Sequence, residues 1–197
     1  MVNKKPKTVP FRRKREYVTN YKKRLKLLLS RKLRIVVRMT NSKIIAQLVN
    51  FSPAGDKVVL GIDSSALAKL GWNYSLKNTP AAYLTGLLLG KKALGQGHKE
   101  AILDTGSREP QKKGKIYAFL KGMLDSGLEV PSGEDIFPPE ERITGEHIKG
   151  YAKKLKDNNQ VYQERFARYL KNKAAPENMP EQFQQLKQKI SSGKNNK

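Results

Sequence analysis

The chain has 197 residues, enough for one medium domain with extensions. Its 40 lysines and arginines face 17 acids, a formal charge of +23 and a pI near 10.2, which is the footprint of a protein that works against a polyanion. Cysteine is absent, which excludes disulfides and thiolate metal sites; no apolar run nears about 20 residues, so no transmembrane helix is expected, and no apolar segment follows the N-terminal charges, so no signal peptide is expected.

Residues 1–16 carry Lys4, Lys5, Lys7, Arg12, Arg13, Lys14 and Arg15 with one acid, Glu16. Nothing there can fill a core, and the composition predicts an extended arm that orders on its partner. From Tyr17 the apolar residues fall at Tyr17, Tyr21, Leu25, Leu28 and Leu29, which predicts an amphipathic helix over 17–29 with those residues as its core face. Lys22, Lys23, Arg24 and Lys26 make the opposite face cationic. At Leu33 the period changes to two: Leu33, Ile35, Val37 and Met39 alternate with Arg34, Val36 and Arg38, a strand with one apolar face and one carrying arginines. Residues 40–43, Thr-Asn-Ser-Lys, are turn chemistry, and 44–51 supply the return strand. A helix and a hairpin built this way form a rigid cationic surface. Charges in such excess would repel one another at real cost without a counter-charge.

A third strand is predicted over 57–63, with Ser64 and Ser65 capping a short helix over 66–70. Gly71-Trp72 reads as a helix stop followed by an aromatic plug. Asn78 or Thr79 caps a helix over 81–94 that is apolar almost all round, with Pro80 at its first position. Gly86 would let that helix approach the sheet closely, and Lys91 and Lys92 sit at its end, where positive charge suits the dipole. Residues 101–103 are short and apolar, typical of a buried strand. A basic loop over 108–115 leads to a helix over 116–124 that Gly127 ends. This order predicts an α/β layer with a mixed sheet. After Pro131 the composition shifts, and helices are predicted near 144–155, 161–171 and 180–190 with sparse apolar positions. They read as an extension wrapped against a partner rather than a second core. The organisation expected is an arm (1–16), an α/β domain (17–130), and a loop with a helical extension (131–197), ending in a frayed tail.

Asp104-Thr105-Gly106 matches the aspartic-protease tripeptide, but that chemistry needs two such carboxylates and no second copy exists. A strand-end turn, with Asp bonding the backbone and Gly at positive φ, explains it better. Asp63 and Asp104 both end strands, as the carboxylates of a two-metal nuclease might, yet no further acids clearly converge on them. Gly90 to Gly97 lacks the Gly-Lys-Ser/Thr ending of a phosphate-binding loop. Phe11, Tyr17 and Tyr21 lie among basic residues and could stack on unpaired bases; the competing reading keeps Tyr17 and Tyr21 on the helix's core face.

An ordered set of stretches resembles a known family. They are Arg12-Arg13-Lys14-Arg15, Tyr21-Lys22-Lys23-Arg24-Leu25, Leu33-Arg34-Ile35-Val36-Val37-Arg38, Asn41-Ser42-Lys43-Ile44-Ile45-Ala46-Gln47, Ala81-Ala82-Tyr83-Leu84-Thr85-Gly86, Ala101-Ile102-Leu103-Asp104-Thr105-Gly106 and Asp125-Ser126-Gly127-Leu128. Together they resemble the archaeal and eukaryotic branch of the large-subunit ribosomal protein family that binds 5S rRNA, number eighteen in the universal scheme. Lys77-Asn78-Thr79-Pro80 departs from that family's Thr-Asn-Tyr run. The resemblance implies an α/β fold of ribonuclease-H-like topology, no catalytic role and no cofactor. It implies a cytoplasmic, ribosomal location, with 5S rRNA bound through arm, helix and hairpin. The extension and loops would meet 23S rRNA and neighbouring large-subunit ribosomal proteins, with neither DNA nor membrane as partner. The residues expected to contact RNA are Arg12, Arg13, Lys14, Arg15, Lys22, Lys23, Arg24, Arg31, Arg34, Arg38 and Lys43 on phosphates, Asn41 and Ser42 by hydrogen bonds at the hairpin tip, Tyr17 by stacking, and Lys91 and Lys92 from the helix end.

Overall fold

The computed structural model describes residues 8–107 and 109–193, so Lys4, Lys5, Lys7, Arg108 and the end of the tail lie outside the described residues. In chain order it runs α1 (Arg12–Arg15), α2 (Tyr21–Leu29), β1 (Arg34–Met39), β2 (Ile44–Asn50), β3 (Lys57–Asp63), α3 (Ser65–Lys69), α4 (Thr79–Gly95), β4 (Ile102–Asp104) and α5 (Lys115–Asp125). The C-terminal part adds α6 (Glu140–Thr144), α7 (Glu146–Leu155), α8 (Asn159–Lys171) and α9 (Met179–Ser191). The sheet order is β3-β2-β1-β4, antiparallel across the first three strands and parallel between β1 and β4. This is the mixed α/β sheet expected from the sequence.

Period-two alternation places Ile35, Val37, Ile44, Ala46, Leu48 and Ile62 on one sheet face, all buried, and α4 lies against that face. Asn78 caps α4 by accepting from Ala81 N–H at 2.9 Å, and every residue from Pro80 to Gly90 is buried. Ser64, expected to cap the short helix, instead accepts from the Ile44 N–H at 3.0 Å, and Asp63 takes the Ser65 N–H. Close approach at Gly86 is real, but its partner is α5, not the sheet. A Cβ on Gly86 would fall 2.0 Å from the Phe119 carbonyl oxygen, and one on Gly122 would fall 2.1 Å from that of Tyr83. The two helices meet through reciprocal glycines, and Tyr83 ties them again by donating to Asp125 at 2.7 Å. Gly122→Val is therefore expected to force the helices apart and cost about 1–3 kcal/mol or more, read as a lower urea midpoint. Gly95→Ala, at an open helical position, is the control and should be neutral or slightly stabilising.

The extension was expected to rest on partners. Its last helix instead completes the core: Met179, Phe183, Leu186 and Ile190 are buried in the same cluster as α4, and the Phe183 and Tyr83 ring centroids lie 5.4 Å apart. Tyr74 donates to the Ala175 carbonyl at 2.6 Å, and burial pushes its phenol up to about 12. Gln182 donates to the Gly71 carbonyl at 2.8 Å.

Candidate nucleic-acid interface

The second sheet face carries Arg34, Val36 and Arg38, as the alternation predicts. It is not bare. The chain from Arg12 crosses it, and two points of local chemistry set the path. The turn after α1 is closed by Tyr17 N–H to Lys14 C=O and Val18 N–H to Arg13 C=O, which places Tyr17 in the left-handed region at φ 53°. Asn20 then caps α2, accepting from the Lys23 N–H at 3.1 Å. The helix predicted over 17–29 thus starts at Tyr21, and residues 12–15 of the expected extended arm form one helical turn.

α2 also turns the opposite way from expectation. Four of the five residues expected on its core face point outward, Tyr17 at 87% exposed, Leu29 73%, Leu25 60% and Tyr21 37%, and only Leu28 is turned in. The side laid on the sheet is Lys23, Arg24, Leu27 and Leu28, all half-buried. The cause is the sheet face beneath, which is ionic rather than apolar. Arg34 is 2% exposed; its Nη1 donates to Asp104 Oδ2 at 2.8 Å, and its Nη2 lies 2.7 Å from Asp56 Oδ2 as an off-axis ion pair. Arg24 donates to Asp56 Oδ1 at 2.9 Å, and Lys23 Nζ donates to Thr105 Oγ1 at 2.9 Å. α2 is thus stapled to the sheet by charges.

This corrects several expectations. Arg34 cannot reach a phosphate; it is an internal cation. Arg24 is tied to Asp56, and Lys43 to Asp63 at 2.5 Å. Arg12 pairs loosely with Glu16 at 3.6 Å, and Arg13 donates to Thr19 at 2.9 Å. Asn41 and Ser42 are exposed at the hairpin tip. Lys91 and Lys92 belong to α4, on the opposite side of the sheet from α2, and are not brought to the same surface. Lys14, Arg15, Lys22, Arg31 and Arg38 are exposed and form no ion pair among the described residues.

Partial burial raises the Asp56 carboxyl, but the hydrogen bond from Arg24 and the charge of Arg34 beside it outweigh this and hold it below the usual carboxylate range. Asp63 is lowered too, chiefly by its hydrogen bond from Lys43. A carboxylate with a depressed folded-state pKa contributes stability that is present above its unfolded value, about 3.9, and is lost as pH falls through the folded one. The stability gap between wild type and Asp56→Asn should therefore be full above about pH 5 and shrink below about pH 4. Urea midpoints measured across that range check it, and a gap constant with pH would contradict it.

The unpaired cations converge elsewhere. A cleft of about 900 Å³ lies between the end of β1 and the loop entering α5, lined by Arg38, Lys112, Lys113, Lys115 and Arg142 with one acid, Glu109. It shares Tyr17 and Ser107 with a second cleft of about 750 Å³ that contains Lys14, Arg15 and Lys22. Lys112, Lys113, Lys115 and Arg142 were missing from the expected contact set. The basic run over 108–115 was visible in the sequence, but nothing there showed that it folds back beside Arg38. The N–H of Lys113 anchors that loop on the Ile136 carbonyl at 2.9 Å.

The carboxylates offer no comparable site. Asp63 and Asp104 end strands at opposite edges of the sheet, and each is held by a cation. Asp104 Oδ1 accepts the Gly106 N–H at 2.8 Å with Gly106 at φ 67°, the strand-end turn anticipated for Asp104-Thr105-Gly106. No helix is long and apolar enough to cross a membrane among the described residues. A mixed α/β body with a continuous cationic trench is what rRNA binding asks of a protein. Residues 5–100 match the family described as ribosomal large subunit proteins 60S L5 and 50S L18, and over that stretch the chain is similar to the large-subunit ribosomal proteins of that family.

Proposed function

We propose that the protein binds 5S rRNA and helps attach it to 23S rRNA in the central protuberance, as an archaeal-type member of its family and without catalysis. The observation that carries this reading is the pair of joined clefts, where eight cations from α1, α2, β1, the loop before α5, α5 and α6 line one trench. Such a surface neutralises phosphates at fixed spacing, so it suits a folded RNA better than a uniform duplex. The extension, with exposed polar faces on α7 and α8, remains available to 23S rRNA and neighbouring ribosomal proteins.

A filter-binding titration against 5S rRNA at several salt concentrations tests the reading, with duplex DNA as competitor. Steep weakening with salt and preference for the RNA are expected; an affinity flat in salt would refute the mechanism.

A further inference from the structure

Tyr17 does not fit the role of a helix core residue, and it is not a casual surface residue either. It stands 87% exposed with φ at 53°, a backbone region that bulky side chains rarely adopt and that costs free energy to hold. The turn hydrogen bonds that the Tyr17 and Val18 N–H groups donate to the Lys14 and Arg13 carbonyls keep it there. The ring thereby projects at the junction of the two clefts, lining both. Tyr21, one turn along, is 37% exposed and braced from behind by Phe11, whose ring centroid lies 5.3 Å away at 51°. Lys14, Arg15 and Lys22 border the same 750 Å³ space.

We infer that Tyr17 and Tyr21 form a stacking site for an unpaired nucleotide of the bound rRNA, with Lys14, Arg15 and Lys22 on its flanking phosphates. This rests on the RNA-binding reading above and adds a contact that is not electrostatic. The physical fit is specific. Aromatic faces bordered by cations bind a base by its π-face and its backbone by charge, whereas a protein partner for so basic a rim would have to be strongly acidic. The volume accommodates an extruded nucleotide, and the left-handed turn at Tyr17 already directs that position to the junction of the clefts.

The test compares wild type, Tyr17→Phe and Tyr17→Gly for 5S rRNA binding across a salt series. Glycine keeps the left-handed backbone and removes only the ring, so the fold is preserved; matching thermal unfolding of the three proteins verifies this. Tyr17→Phe should bind within about twofold of wild type. Tyr17→Gly should bind roughly 5- to 150-fold more weakly at every salt concentration, with the same salt slope, because no charge is lost. If wild type titrates with salt but Tyr17→Gly binds as tightly, or Tyr17→Phe loses as much, the stacking site is overturned and the RNA-binding reading stands. A wild-type titration flat in salt overturns both.

Discussion

Raising the salt from about 50 to about 200 mM is expected to weaken 5S rRNA binding by roughly 10³- to 10⁴-fold. The estimate comes from the trench. Its cations are Lys14, Arg15, Lys22, Arg38, Lys112, Lys113, Lys115 and Arg142, each exposed. If each neutralises one phosphate and releases about 0.7–0.9 of a counterion, a fourfold rise in salt removes between three and about four decades of affinity. Individual cations then become separable. Arg38→Ala should reduce the log–log salt slope by about one, as should Lys113→Ala. Arg34→Ala should leave the slope unchanged, although Arg34 and Arg38 are four residues apart on the same strand face. A slope unchanged by both Arg38→Ala and Lys113→Ala would show that the trench is not where RNA binds.

That contrast marks where the sequence stopped being informative. The strands were legible because β1 keeps an apolar residue at every second position, with arginines at both ends of the other face, and α4 because Asn78 and Pro80 announce a run with no polar face. The stripe Met179, Phe183, Leu186 and Ile190 was also present in the sequence at helical spacing, but its few apolar residues masked how completely they are buried. The orientation of α2 could not be read at all. Its partners Asp56 and Thr105 lie 32 and 82 residues away along the chain, and polar contacts over such distances leave no periodic trace. Hydrophobic periodicity assumes an apolar surface underneath. Here the surface is charged, so Tyr21, Leu25 and Leu29 of α2 face out, and the proposed stacking would give Tyr21 and its neighbour Tyr17 a use. The same blindness explains Lys112 and Lys113: a basic loop is visible in one dimension, its neighbour Arg38 only in three.

Arg34→Ala is expected to destabilise the fold by about 3–5 kcal/mol, a large share of the roughly 5–15 kcal/mol that holds a typical domain together. The reason is the asymmetry of buried ion pairs. Arg34 has 2% of its side chain exposed and Asp104 13%, so removing the guanidinium strands a carboxylate in low dielectric with only the Gly106 N–H left to it. Asp56 suffers less, because it is 28% exposed and keeps Arg24. The pair as a whole need not be strongly stabilising, since desolvating two charges consumes most of their attraction. Arg34→Met combined with Asp104→Asn should therefore recover much of the loss, retaining volume while removing the unpaired charge. Urea unfolding of the single and double variants measures both quantities. A single variant within about 1 kcal/mol of wild type would mean that water reaches Asp104 and that α2 is held mainly by Leu27 and Leu28 instead of by charge. Loss of the staple should also free α2 and the turn bearing Tyr17, so the Arg34→Ala protein that remains folded should exchange the α2 amide hydrogens faster than wild type while those of α4 stay protected. Arg34 is thereby expected to influence RNA binding only indirectly, through Asp56 and the helix that carries Tyr21 and Lys22.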